Sequence, residues 1–231
     1  MTRAQIRTLV QQHVGNRVTG VFNNAWFDAR VLDAYRRLVS LQGRTPGSDR
    51  GGARYRHLRF PEMENRLTRS ITLSETDNFL ANQSGAFITI DIYDRTNDRG
   101  LSLVSEADLR YHDPDDLGVP REWRPGALNG INGYWIWPRP GTTSDNIDVY
   151  ETVLVTPTLA ADGDSPLVAE HWHRAIEYAA ASDAAMLMDI PEKHDALEQK
   201  FAAYVSERLS YNEMAIRGSR SGRRRRIQVA G

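Results

Sequence analysis

GAFITIDIYD, residues 85–94, sets Ala86, Ile88, Ile90 and Ile92 against Phe87, Thr89, Asp91 and Tyr93. A period of two is the pattern of a strand with one buried and one mixed face. Four more short runs of the same character surround it: LTRSITLS (67–74), GLSLVS (100–105), GYWIWPRP (133–140) and NIDVYETVLV (146–155). Turn residues separate them, and their spacing suits hairpins rather than strand–helix–strand units. Residues 57–156 therefore read as one β-rich, sandwich-like segment.

Both flanks are helical. Near the N-terminus, Ile6, Leu9, Val10, His13 and Val14 recur at helical spacing behind a Thr2 cap. A second helix carries Phe27, Val31, Ala34, Tyr35, Leu38 and Val39 as one stripe, with Asn23 or Asn24 as cap and Gly43 as stop. These two helices occupy residues 1–43, and GRTPGSDRGGARYR (43–56) is a loop by composition.

After the linker TPTLAADGDSP, Ser165 and Pro166 are placed to start a helix whose stripe is Val168, Trp172, Ala175, Ile176, Ala179, Met186 and Leu187. Ala180, Ala181, Ala184 and Ala185 make it slim enough for close approach by another helix. Pro191 opens its partner, with Leu197, Phe201, Tyr204, Val205 and Leu209 at helical spacing, so 165–216 is a helix pair. The expected fold is α+β: a helical bundle formed by N- and C-terminal helices, an inserted β-rich segment, and an extended basic arm over 217–231.

Composition bounds the function. The 231 residues are 40% hydrophobic and 26% charged, ordinary for a soluble globular protein. Cysteine is absent, so disulfides and thiolate metal sites are excluded, in keeping with a reducing interior. No apolar run approaches a membrane span, and the N-terminus lacks the apolar stretch of a secretory signal. The net charge is −1, yet residues 217–231 hold six arginines and no acid, leaving −7 on the rest. A basic tail on an acidic body is unlike a folded DNA reader, whose basic patch lies on the folded surface.

The residues give little chemistry. His171 and His173 stand two apart, whereas two ligands on one helical face need three or four. The run His112 to Asp116 lacks the alternating loop and distal Glu of an EF-hand and reads as a solvated turn, as do Asp94 and Asp98. Gly130-Ile131-Asn132-Gly133 reads as a hairpin turn rather than a phosphate loop. No nucleophile, base and orienter can be assembled, so no catalytic residue, metal ligand or cofactor is expected. Trp123, Trp135 and Trp137 are the aromatic candidates: a core, a contact with another subunit or tail protein, or a stacking platform for single-stranded nucleic acid or sugar.

In the order of its parts the chain resembles the head-to-tail adaptor (head completion or connector) proteins of tailed bacteriophages. The resemblance rests on the Trp-started helix WFDARVLDAYRRLVS, Gly118, Pro120 and Trp123, the strand ending at Pro138 and Pro140, the linker VTPTLAADGDSP, and the closing helices HWHRAIEYAAASDAAMLMD and EKHDALEQKFAAYVSERL. It covers residues 2 to 210. It implies a structural virion protein of the neck, assembled in the host cytoplasm, whose ring of twelve copies sits beneath the portal, extends the DNA channel and receives the tail. Its partners would be portal protein, a tail nozzle, tail tube or other neck protein, its own copies and passing double-stranded DNA held without sequence-specific contact, with no membrane. The acidic body would let DNA slide, and the small-residue helix would suit dense packing in the ring. In that reading Arg217, Arg220, Arg223, Arg224, Arg225 and Arg226 pair with portal carboxylates. Gly218 and Gly222 act as joints, and Ile227, Gln228 and Val229 add to a sheet edge or fill a pocket. The alternatives are a DNA-binding protein using the basic arm and an enzyme whose site is not legible in the sequence.

Overall fold

Thr2 and Gln5 close a capping box, Thr2 Oγ1 accepting from the Gln5 amide and Gln5 Oε1 from the Thr2 amide. Helix α1, Arg3–His13, follows. In this computed structural model the described residues are 1–41, 60–71, 79–104, 116–138 and 147–224, with side chains described as far as Arg208. They fall into two units: residues 1–41, 60 and 157–224 form a helical unit, and 61–156 a β unit. Phe60, expected at the edge of the β segment, packs edge-to-face on Trp172 of the helical unit at 5.5 Å.

Helix α2, Asn24–Ser40, is capped by Asn23, whose Oδ1 accepts from the Trp26 amide at 3.0 Å. Every residue of its expected stripe is fully buried. Helix α3, His173–Leu187, is the centre of the unit, with α1, α2 and α4 packed on it. Ala175, Ala179, Ala180, Ala181, Ala184 and Ala185 have no exposure at all. The alanines expected to serve packing between subunits are therefore covered by the chain's own helices. Met186 and Leu187, expected in the buried stripe, are 64% and 54% exposed.

Helix α3 also starts later than Ser165 and Pro166 suggest, after a 3-10 turn at Glu170–Trp172. Tertiary bonds hold the preceding segment out of the helix: the Leu167 amide donates to the Tyr35 hydroxyl at 2.9 Å, and His173 Nε2 donates to the Val168 carbonyl at 3.0 Å. At its other end Asp189 takes a left-handed φ of 56°, and the Ile190 amide reaches back to the Ala185 carbonyl at 2.9 Å. The turn sends the chain into α4, Pro191–Arg224.

The 34 residues of α4 span about 51 Å, against about 22 Å for the 15 of α3. The Tyr204 hydroxyl donates to the His171 carbonyl at 2.6 Å, where α4 draws level with the start of α3. About five further turns follow. Residues 217–224, expected to begin an extended arm, are thus helical. Gly218 and Gly222 each cost about 1 kcal/mol there, but propagating a helix already formed avoids the nucleation cost. Residues 225–231, including Arg225, Arg226, Ile227, Gln228 and Val229, lie outside the described residues.

The β unit is two four-stranded sheets. One has the order β1 (Glu64–Ile71), β8 (Ile147–Val155), β3 (Ala86–Asp94), β4 (Arg99–Gly100); the other β2 (Phe79–Ala81), β7 (Ile131–Trp137), β6 (Glu122–Leu128), β5 (Ser102–Leu103). Pairing is antiparallel except between β5 and β6. Ile71, Ile92, Ile147 and Val149 of the first sheet bury against Trp123, Tyr134 and Ile136 of the second, with Leu101 between β4 and β5.

Three expectations fail here. Register shifts at Ala86/Ile88 and Thr89/Asp91 break the alternation of β3, so Thr89 and Asp94 are buried while Ile88 and Ile90 are only half so. Strand β6 is unexpected because Pro125 interrupts it. It is tolerated because, among the described residues, β5 pairs with Glu122 and Trp123 and not with the proline. The hairpin turn is Asn129-Gly130, with φ of 51° and 80°, and Ile131, Asn132 and Gly133 already belong to β7.

Overpacking the contact around α3 tests this arrangement. Ala180→Leu is expected to lower unfolding free energy by about 1–3 kcal/mol in urea. Met186→Ala, nearly two turns away and exposed, should change it by no more than about 0.5 kcal/mol.

Candidate functional site

Helices α3 and α4 bring together residue types that the sequence keeps apart. Ser182 Oγ lies 2.9 Å from His194 Nδ1 and 3.2 Å from Glu198 Oε2. A serine, a histidine and a glutamate at such distances raise the question of nucleophilic catalysis. The geometry answers it. His194 Nδ1 also lies 3.1 Å from the Ser182 carbonyl, which can only accept; in the tautomer that makes this bond Nδ1 carries the proton and cannot take one from the hydroxyl. The Ser182 hydroxyl donates instead to Glu198, and Glu198 bonds the serine rather than orienting the histidine. Arg37 holds Glu198 from α2, stacks over Phe201 at 4.8 Å, and lies 3.5 Å from Asp183, whose carboxyl burial pushes up. Ser182 is completely buried. The cluster is a polar pin between three helices.

The β unit holds a second buried cluster. Glu151 on β8 has no exposure, and its carboxylate accepts from the Tyr134 hydroxyl on β7, from Gln83 Nε2 at 2.9 Å, and from Arg69 on β1 at 3.0 Å. Arg69 also donates to the Ala81 carbonyl at 2.7 Å. Burial first, and the Glu151 charge second, drive the Tyr134 hydroxyl far above its ordinary range, so it stays a donor. Four chain segments from both sheets meet on one carboxylate. A cavity of about 390 Å³ lies nearby, lined by Asn82, Phe87, Ile88, Thr89, Pro125, Gly126, Asn132 and Gly133. Its Asn82 amide is engaged by the Phe87 carbonyl and the Thr89 hydroxyl, and no charged side chain lines it.

The candidates named from sequence are dispersed. Trp123 is in the β core, edge-to-face on Tyr134 at 6.0 Å, and Trp137 is also buried; in this conformation neither offers a surface to another subunit or a tail protein. Trp135 keeps partial exposure, 5.0 Å from Phe79, with its indole across Gly126. Burial holds the His173 imidazole below its ordinary pKa, with Nε2 on the Val168 carbonyl and Nδ1 accepting from the Met1 ammonium at 2.8 Å; the His171 ring lies tilted against Trp172 at 5.3 Å. Asp94 is no solvated turn residue: fully buried, it accepts from the Asn97 amide and side chain at 3.0 and 2.7 Å. Of the acidic run, 112–115 lie outside the described residues and Asp116 is exposed. Arg217, Arg220, Arg223 and Arg224 lie on the last turns of α4.

Among the described residues no three His, Asp or Glu side chains gather as metal ligands, and no helix is long and apolar enough to cross a membrane. The chain matches no known protein-family pattern and no curated protein.

Two experiments probe the buried clusters. Ser182 is expected to resist a fluorophosphonate serine probe in the folded protein; stoichiometric labelling abolished by Ser182→Ala would make it a nucleophile. Tyr134→Phe should cost about 1–3 kcal/mol in chemical denaturation, because it leaves a lone pair of a buried carboxylate unmatched.

Proposed function

We propose that this protein is a structural head-to-tail connector adaptor of a tailed bacteriophage, which joins its own copies in a ring below the portal and presents a platform for the tail. The observation that carries the proposal is the course of α4. A helix that leaves its bundle and continues for about five turns delivers Arg217, Arg220, Arg223 and Arg224 well beyond the packed helices, as an element that docks on a separate partner should. The two-unit build supports it, a helical unit made from both ends of the chain with a β sandwich inserted.

Charge placement supports the same reading. Residues 61–156 hold eight arginines against sixteen acids, a net charge of −8, so the acidity of the body belongs to the β unit. The remaining residues up to 216 carry +1. An acidic β unit lining a conduit repels a polyanion and lets it pass.

The test is a pull-down from phage-producing cells with the full chain and with a chain ending at Arg217, each washed at low and high salt. Portal protein retained by the full chain and lost from the shortened one is the expected result. Nucleic acid released by salt, with no portal protein, would replace the proposal with a DNA-binding arm.

A further inference from the structure

The outer face of the β1-β8-β3-β4 sheet carries two exposed arginines on one aromatic ring. Arg66, from β1, lies over Tyr150 of β8 at 5.1 Å, and Arg95, just past the end of β3, lies over the same ring at 4.6 Å. Neither guanidinium has a carboxylate partner among the described residues, in a unit where acids outnumber arginines two to one.

The nearby acids are engaged elsewhere. Ser70 donates to Asp148 Oδ1, the Tyr93 hydroxyl donates to Asp98 Oδ1, and Asp91 Oδ1 accepts from the Ile92 amide at 3.0 Å. Thr68 and Tyr93, the register partners of Tyr150 on either side, are uncharged. Stacking restricts where each guanidinium points while leaving its N–H fork free to donate. Two forks on one ring suit an oxyanion, to which charge-assisted bonds are the strong ones.

We propose that Arg66 and Arg95, gathered on the ring of Tyr150, receive an acidic protein segment, a short stretch bearing adjacent glutamates or aspartates. The surroundings choose between polyanions. A duplex carries one charge per about 1.7 Å, so any phosphate seated here brings others beside Asp91, Asp98 and Asp148 within a Debye length of about 8 Å. A segment with one or two carboxylates meets the arginines without that repulsion. The site lies within the β unit and does not depend on the connector assignment.

The full chain, labelled with 15N, is titrated with acetyl-diglutamate amide, a 12-base-pair duplex and inorganic phosphate in separate experiments. The Arg66 and Arg95 Nε–H resonances are followed. The peptide is expected to shift both in a saturable way, and Arg66→Gln with Arg95→Gln should weaken it about tenfold or more. Since both side chains are exposed, unchanged thermal unfolding of the double variant is expected; if it fails to fold, the single variants and the wild-type shifts decide. Shifts that never saturate at millimolar peptide, equal binding by the double variant, or tighter binding of the duplex or phosphate would each overturn the proposal.

Discussion

A helix clad in alanine has almost no side-chain volume with which to exclude water, so its burial depends on how closely its neighbours approach. Helix α3 is such a helix: six alanines with no exposure, and α1, α2 and α4 drawn in around them. The chain's two ends therefore share one core although about a hundred residues of β structure separate them in sequence. Buried polar groups on α3 fix the register of that core. Glu177 takes the His13 imidazole from α1 at 2.7 Å, and Ser182 takes Glu198 and His194 from α4. Sliding any of these helices would strand a buried polar atom, a loss of about 1–3 kcal/mol on top of the packing disturbed. Alanine provides the close approach, and the polar pins select one arrangement from the many that smooth surfaces allow.

The β unit reaches the same end with a carboxylate. Two sheets meeting through Ile71, Ile92, Ile136, Ile147 and Val149 can shift against one another at small cost. Glu151 removes that freedom, since its oxygens are matched only when Tyr134, Arg69 and Gln83 are all in place. Asp94 does a smaller version of this work at the β3–β4 turn. Buried polar contacts thus fix this unit's arrangement alongside its apolar core.

That is also where the sequence became hard to read. The α2 stripe was legible because one face of a long helix repeats in simple geometry, and all six of its residues could be named with their burial. Strand β3 was legible as a strand but not in its facing, because two bulges change the phase and leave no mark in the residue pattern. The Asn129-Gly130 turn was written plainly, and the glycine at 133 obscured it. Strand β6 was hidden by Pro125, whose acceptability depends on which neighbour fails to pair there. The start of α3 was misplaced because Tyr35, more than 130 residues away, holds the Leu167 amide. Nearer meetings, Ser182 with His194 and Glu198 at 12 and 16 residues or Tyr134 with Glu151 at 17, also follow from the fold, since these separations match no single helical turn or strand period.

Charge ties these points to function. The near-neutral total of −1 conceals a β unit at −8 and a terminal stretch at +6, whose residues 217–224 continue α4. A flexible basic tail would sample its own acidic unit at high effective concentration. Residues 217–224, as helix, lack the freedom of such a tail. The same logic explains the isolation of Arg66 and Arg95, whose nearest acids are engaged by hydroxyls and a backbone amide. Charge of both signs held on separate elements lets one chain offer different surfaces to different neighbours.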